Sequence, residues 1–246
     1  MARKKIPVSQ RDLEFILGNS FHRLMVEVAR VKKSRKKAET SLEGLAHFFF
    51  SAAVYRQTGL SAMRVKLPQP WSYNKAVAWL AYYAEQTSEM MDREGIAPLL
   101  MEVTLQPYPL CKEQGLFVEA RPDLIARRTP SGDLGVYDYK TTSIQQYMLY
   151  KSVLVRADKS NILHSFDQLV GYGAAAEHDV HEVNEKIDEI GLIVVPRTPL
   201  PEGRTPMPVL LLVTPFDRTR VKEWHTRRLE KILNALAAEK EKPTDD

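Results

Sequence analysis

The sequence lacks the residues from which several kinds of site are built. Cys111 is the only cysteine, so no disulfide can form within the chain, and four-cysteine zinc or iron–sulfur sites are excluded. A single thiol is typical of proteins from reducing compartments, so we expect a cytoplasmic protein. No apolar run approaches the about 20 residues that span a bilayer, and the charged N-terminus has no apolar secretory segment behind it. We therefore expect no membrane partner.

The composition is that of a folded protein with a mild basic excess. Hydrophobic residues make up 44% of the 246 residues and charged residues 27%, which is enough to bury a core. The net charge is +4 and the isoelectric point about 9.0. A basic excess suits a polyanionic partner, but many proteins without such a partner share it. Charge alone therefore decides nothing.

Hydrophobic periodicity divides the chain into a helical part and an α/β part. Apolar residues at helical spacing predict helices over 9–36, 41–59 (with Ser41 as N-cap and a stop at Gly59) and 72–93. Beyond Gly95 we predict strands over 99–106, 116–127 and 136–140, a helix over 161–178, strands over 191–196 and 209–216, and a helix over 217–240. This order predicts an α/β fold. Residues 1–96 would form an N-terminal helical layer, 97–240 the core and 241–246 a frayed tail, together one compact domain.

Acidic residues alternate with apolar ones on the second and third predicted strands. Side chains along a strand point alternately to opposite faces, so Asp123 lies on a polar face, and Asp138 and Lys140 share a face of the next strand. The segment 129–135 has the composition of a hairpin turn, which would set the two strands side by side. Asp123 and Asp138 are therefore expected to converge at one point.

Two converging carboxylates suit Mg²⁺ or Mn²⁺, which prefer oxygen ligands and also bind phosphate oxygens. Such an ion activates a bound water and neutralises charge on a phosphate, and Lys140 beside it can orient the water or stabilise the transition state. The alternative is a surface ion-pair ladder across a hairpin. The alternation by itself favours that ladder.

Four short motifs in order resemble those of one family. Pro122-Asp123 followed by Asp138-Tyr139-Lys140 resembles the PD-(D/E)XK signature, in the Asp-Tyr-Lys-Thr form of RecB-like nucleases. Gln168-Leu-Val-Gly-Tyr172 is similar to the Gln-x-x-x-Tyr motif of that branch, and Gly44-Leu-Ala-His47 is similar to its upstream histidine motif. The resemblance implies a restriction-endonuclease-like core, which is a mixed central sheet flanked by helices.

The resemblance also implies roles for individual residues. Asp123 and Asp138 would bind the metal, the carbonyl of Tyr139 would add a backbone ligand, and Lys140 would be catalytic. His47 would be a further metal ligand, in which case Mn²⁺ should support activity at least as well as Mg²⁺. On spacing alone, His47 reads as a buried structural histidine among phenylalanines.

Several further residues are candidates for contact with substrate. Gln168 and Tyr172 lie one helical turn apart, where they would contact substrate, brace the site or simply form a half-buried polar stripe. Thr141 opens a Thr-Thr-Ser cluster that could bind substrate or cap a helix. Lys151, Arg156 and Lys159 offer a basic track, and the basic run at 30–37 could grip a DNA backbone or be a solvated helix end. Glu102 and Glu119 are weaker candidates for a third acid.

The function that these features predict is hydrolysis of DNA phosphodiester bonds with Mg²⁺ or Mn²⁺. The resemblance implies an exonuclease acting at single- or double-stranded DNA ends, in recombination, repair or phage DNA processing, without an iron–sulfur cluster. A homo-oligomer or a partner subunit could provide processivity. The alternatives are a nucleic-acid-binding subunit on the same fold with weak or no cleavage, and an unrelated α/β protein whose motifs match by chance.

Overall fold

The structure is a computed structural model that describes residues 5–34, 40–154 and 167–240. The α-helices of these residues are α1 (Gln10–Ser34), α2 (Leu42–Thr58), α3 (Tyr73–Arg93), α4 (Ile144–Leu154), α5 (Asp167–His178) and α6 (Thr219–Lys240). The strands are β1 (Ile6–Pro7), β2 (Val65–Lys66), β3 (Ile96–Met101), β4 (Tyr108–Cys111), β5 (Leu116–Val118), β6 (Leu124–Arg128), β7 (Leu134–Thr142), β8 (Glu189–Pro196) and β9 (Leu210–Pro215). None of the described helices is long and apolar enough to cross a membrane.

The helix ends follow local capping rules. Ser41 accepts a hydrogen bond from the Gly44 N–H at 3.1 Å and caps the start of α2. Gly59, with φ of 68°, ends that helix by donating its N–H to the Tyr55 carbonyl, a backbone conformation that costs glycine least. Ser72 caps α3 in the same way as Ser41 caps α2. The limits predicted for α2 are therefore confirmed.

The central sheet has five strands in the order β3-β6-β7-β8-β9. β7 and β8 run parallel, whereas the β3–β6, β6–β7 and β8–β9 pairs are antiparallel. The connection from β7 to β8 contains α4 and α5, as a parallel pair requires a long crossover. The predicted α/β core with a mixed sheet flanked by helices is confirmed.

Helices cover both faces of this sheet. Tyr137 and Tyr139 of β7 pack with Phe21 of α1 and Trp79 of α3 in one hydrophobic cluster. Val136, on the opposite face of β7, packs in a second cluster with residues of α4 and α5. The alternation of β7 side chains thus sends its tyrosines to the N-terminal helices and its even-numbered residues to the crossover helices.

The predicted strand over 116–127 is in fact two strands of different sheets. β5 pairs with β4 in a two-stranded hairpin, whereas β6 belongs to the central sheet. Between them Pro122 has no N–H to donate, and the chain turns from one sheet to the other. The strand predicted over 99–106 also ends early, at Met101, because Glu102 adopts a φ of 47° that is incompatible with a strand.

Further along the chain, one helix was not predicted and another is described only in part. α4 was not predicted, because its apolar residues show little helical periodicity. The helix predicted over 161–178 is described from Asp167 to His178, and its first residues lie outside the described residues. The predicted tail 241–246 also lies outside them.

Candidate active site

The site forms where β6 separates from β7. Leu124 of β6 pairs with Tyr137, and one more step in this register sets Asp123 opposite Asp138. β8 continues along the other side of β7 as far as Thr142. Beyond Tyr137, the backbone groups of β7 that faced β6 therefore need other partners, since unpaired buried N–H and C=O groups are costly.

Asp123 and His22 of α1 take up these backbone groups. The Tyr139 N–H donates to Asp123 Oδ2 at 2.7 Å. His22 lies with Nδ1 3.1 Å from Asp123 Oδ1 and with Nε2 3.1 Å from the Tyr139 carbonyl oxygen. Both neighbours of the imidazole are acceptors, so both hydrogen bonds form together only when the ring carries two protons.

The pKa values of this pair follow from that contact. Burial lowers the pKa of His22, but the hydrogen bond and the charge of Asp123 outweigh it, and the net shift is upward. Burial raises the pKa of Asp123, but the bond and charge of His22 and the Tyr139 N–H bring it below its ordinary value. Each shift therefore favours the charged form of its group.

Asp138 is the most deeply buried charged group of the site, with 2% of its surface exposed. Its Oδ2 lies 2.6 Å from Lys140 Nζ, but the angle is unsuitable for a hydrogen bond, so this oxygen has no hydrogen-bond partner among the described residues. Burial and the charge of Asp123 raise the pKa of Asp138 to about 7, against the opposing effect of Lys140. The two carboxyl groups are close enough for a hydrogen bond when one is protonated.

Lys140 links the aspartates to α5. Its Nζ also donates to Gln168 Oε1 at 2.8 Å, and Gln168 Nε2 donates to Tyr172 Oη at 2.7 Å. Burial lowers the pKa of Lys140, but the charge and contact of Asp138 and the charge of Asp123 together raise it above its ordinary value, so the ammonium is retained. Contacts thus connect Tyr172, Gln168, Lys140 and Asp138 in sequence.

The donor atoms at this point are of the kind that a hard divalent cation binds. Asp138 Oδ2 is a buried carboxylate oxygen without a hydrogen bond, and Asp123 and the Tyr139 carbonyl lie beside it. Over residues 5–34, 40–154 and 167–240, no three His, Cys, Asp or Glu side chains are already gathered around one point. His22 lies against Asp123 and the Tyr139 carbonyl, and the Lys140 ammonium lies beside Asp138.

The structure brings His22, and not His47, to the aspartates. His47 lies with Nδ1 3.1 Å from Tyr73 Oη and Nε2 3.9 Å from Glu43 Oε1, and its side chain is 42% exposed. The physical reason is the order of packing: α1 packs on β7, whereas α2 packs on α1 and α3. The contacts of His47 are therefore with Tyr73 and Glu43, and its role as a metal ligand stays a prediction.

A signal for His22 is visible in the sequence. His22 lies on α1 between Phe21 and Leu24, both fully buried. A titratable side chain next to such positions on an amphipathic helix must point towards the core or its edge.

Thr141 lies on the face opposite Lys140. Its side chain is next to Gly18 of α1, and its carbonyl accepts a hydrogen bond from Arg197 at 3.1 Å. Strand alternation explains this, because odd-numbered residues of β7 face the N-terminal helices. The substrate contact expected of the Thr141 side chain is therefore not favoured by its position.

The weaker acidic candidates have different surroundings. Glu102 forms an ion pair with Arg121 at 3.0 Å, and its charge contributes to the raised pKa of His22. Glu119 is exposed. Glu102, on the neighbouring chain segment, is thus nearer to the site than expected.

The basic tracks are only partly described. Arg30 forms an ion pair with Glu27 at 3.3 Å, and Lys32 with Asp92 at 2.6 Å, so both act locally on the surface. Residues 35–39, Arg156 and Lys159 lie outside the described residues.

A family model described as the PD-(D/E)XK nuclease superfamily matches residues 2–244. A search of curated proteins found no match. Among solved structures, the chain is similar to LHK-Exo in its crystal structure in complex with dAMP, with 14% sequence identity, 94% of each chain covered and a TM-score of 0.41.

Proposed function

The chain belongs to the PD-(D/E)XK nuclease superfamily, and we propose that it is a metal-dependent DNA exonuclease of the RecB-like branch. Membership implies a hydrolase that acts on nucleic acid. The observation that carries the proposal is the convergence of Asp123, Asp138 and Lys140 where β6 leaves β7. A surface ion-pair ladder would leave these side chains in solvent, whereas Asp138 is buried.

Nucleases of this superfamily generally use divalent metals, and the residues here fit Mg²⁺ or Mn²⁺. Asp123, Asp138 and the Tyr139 carbonyl would hold the ion, with His22 in the role expected of His47. When bound, the ion would lower the pKa of a water molecule and neutralise charge on the scissile phosphate. A nitrogen ligand from His22 would favour Mn²⁺ at least as much as Mg²⁺.

The remaining residues orient the reactants. Lys140 places a positive charge beside Asp138, where it can stabilise the negative charge that develops on a phosphate. Gln168 holds the Lys140 ammonium and is itself held by Tyr172, which limits where that charge can move. The Tyr172 ring would contact the substrate strand from α5.

The finer parts of the proposal rest on the Gln168 and Tyr172 pair. In this chain both side chains connect to Lys140, which agrees with the Gln-x-x-x-Tyr motif of RecB-like nucleases. We therefore favour an exonuclease that acts at DNA ends, in recombination, repair or phage DNA processing.

The test is degradation of end-labelled linear DNA and of circular DNA with Mg²⁺, with Mn²⁺ or with EDTA. Asp138→Asn and Lys140→Ala are compared with Asp92→Asn and Lys75→Ala, which change an exposed carboxylate and an exposed ammonium elsewhere. Metal-dependent shortening of linear DNA alone, lost in the first two variants and kept in the controls, is expected.

Other outcomes would contradict parts of the proposal. Cleavage of circular DNA would replace the exonuclease with an endonuclease. Binding of DNA without cleavage under all metal conditions would favour a nucleic-acid-binding subunit on the nuclease fold. If the protein neither binds nor cleaves DNA, only the assignment of its fold would stand.

A further inference from the structure

A second cavity opens beside the candidate active site. It has a volume of about 350 Å³ and lies between the segment that follows β5, helix α5 and helix α6. Gln168 and Tyr172 line one wall, and Arg228 and Lys231 of α6 line another.

Two cations face this cavity without acidic partners. Arg228 is half-buried, and neither it nor Lys231 forms an ion pair within the part of the chain that the structure describes. Of the acidic lining residues, Asp167 is paired with Arg227 at 3.1 Å, and Glu119 is exposed on the segment after β5. A half-buried cation beside a cavity favours an anionic ligand, because desolvation strengthens its attraction for a counter-charge.

Gln168 and the segment after β5 link the cavity to the site. On α5, Gln168 contacts Lys140 on one side and lines the cavity on the other. Along the chain, the wall at Ala120 leads within three residues to Asp123. A polymer whose phosphate lies at the aspartates would therefore enter this cavity with its next nucleotide.

We propose that this cavity binds the DNA nucleotide next to the scissile bond, with Arg228 and Lys231 holding its phosphate. This inference rests on the proposed function, because it assumes a DNA strand at Asp123 and Asp138. A guanidinium provides a planar fork for phosphate oxygens, and a lysine provides a second positive charge. Tyr172 supplies an aromatic ring against the same nucleotide.

The experiment measures binding of a fluorescently labelled short oligothymidylate in EDTA, where no metal-dependent cleavage can occur. The double variant Arg228→Gln, Lys231→Gln is compared with the unmodified protein and with Lys222→Gln, an exposed lysine of the same helix that does not line the cavity. Loss of the contact with that phosphate should weaken binding about tenfold or more and reduce the slope of log K against log salt by about 0.7, as for one phosphate of a single strand. Lys222→Gln should bind as the unmodified protein does.

A chemical change in the DNA locates the phosphate. A series of oligonucleotides is used, each with one neutral methylphosphonate linkage at a different position. The unmodified protein should lose affinity at one position near the scissile bond, and the double variant should not distinguish that position. If folding of the Arg228→Gln chain fails, Lys231→Gln alone should still weaken binding and reduce the slope, by less than the double variant does.

The inference is overturned if the double variant binds like the unmodified protein, or if Lys222→Gln loses as much affinity. It is also overturned if the methylphosphonate scan is the same for the double variant and the unmodified protein. Failure of the proposed function would look different: the unmodified protein would bind the oligonucleotide with these signatures but would not cut DNA with Mg²⁺ or Mn²⁺.

Discussion

The two halves of β7 belong to one continuous strand but have opposite roles. Residues 134–137 pair with β6 on one side and with β8 on the other, and Val136 among them is fully buried. Residues 138–142 pair only with β8, and they include Asp138 and Lys140. We call residues 138–142 the open half of β7 and residues 134–137 the paired half. The comparison shows that the charged residues of the site lie where one neighbouring strand, β6, ends.

The physical cause is the backbone that β6 leaves behind. The freed N–H and C=O of Tyr139 bind Asp123 and His22, which fixes both side chains at the start of the open half. The cost is a buried carboxylate, since removing an ion from water costs several kcal/mol even after relaxation. Lys140, 2.6 Å away, offsets part of that cost for Asp138. The charged, rigid site in the open half therefore lowers the stability of the fold.

The largest expected effect is the difference in cleavage between a substitution in the open half and one in the paired half. Asp138→Asn should lower single-turnover cleavage about 10³-fold or more, because it removes an ion ligand and a charge that positions Lys140. Val136→Ala, two residues earlier on the same face, should leave cleavage nearly unchanged but lower the free energy of unfolding by about 2 kcal/mol. Urea unfolding measures the second effect. Equal loss of cleavage in both variants would refute the division of β7.

The two histidines test the comparison because His22 contacts the open half and His47 has other partners. His22→Ala should reduce Mn²⁺-dependent cleavage about 10- to 100-fold, since it contacts both Asp123 and the Tyr139 carbonyl. His47→Ala, the matched control, should change it less than about twofold, because its partners are Tyr73 and Glu43. Metal titrations of cleavage for both variants provide the measurement. A larger effect at His47 would restore the role predicted for it.

Metal-free stability should fall with rising pH because of the open half. A pKa of Asp138 raised from 3.8 to about 7 means that the folded chain holds this proton more tightly than the unfolded chain, so stability is lost as pH rises through that interval. The raised pKa of His22 acts in the same direction, because its contribution is present below 6.5 and lost above its folded pKa. We expect a loss of about 2 kcal/mol between about pH 5 and about pH 7 in EDTA.

Thermal unfolding of the metal-free protein at both pH values measures this loss. Asp138→Asn should flatten the dependence, because the asparagine has no proton to lose. The low pKa of Asp123 acts only below 3.8, outside this interval. A stability that rises with pH in EDTA would show that Asp138 is not the group that titrates.

The smallest effect is expected in the paired half. Tyr137 is fully buried, and its hydroxyl donates to Glu189 of β8. Tyr137→Phe should cost about 1 kcal/mol of unfolding free energy for the lost hydrogen bond and leave cleavage unchanged. Urea unfolding and single-turnover cleavage are compared with the same measurements on Asp138→Asn. A loss of cleavage would mean that the two halves are not independent.

Some features of the fold and site could be predicted because they depend on near neighbours in the sequence. Ser41 and Gly59 limit α2 through bonds to residues three and four positions away. Asp123 and Asp138 were expected to converge because a hairpin sets neighbouring strands in register, which the β6–β7 pairing confirms. The break at Pro122 was missed because alternation continues across it, although the two strands join different sheets.

The sequence by itself determined the helical layer, the β6–β7 hairpin and the two aspartates with Lys140 upon it, because periodicity, caps and turns act over a few residues. Only the tertiary structure decided that His22, on a helix about a hundred residues away along the chain, would contact Asp123, and that Gln168 would hold Lys140. Such contacts depend on how α1 and α5 pack against β7. That packing is set by the shape of the whole core, which spacing in the sequence does not encode.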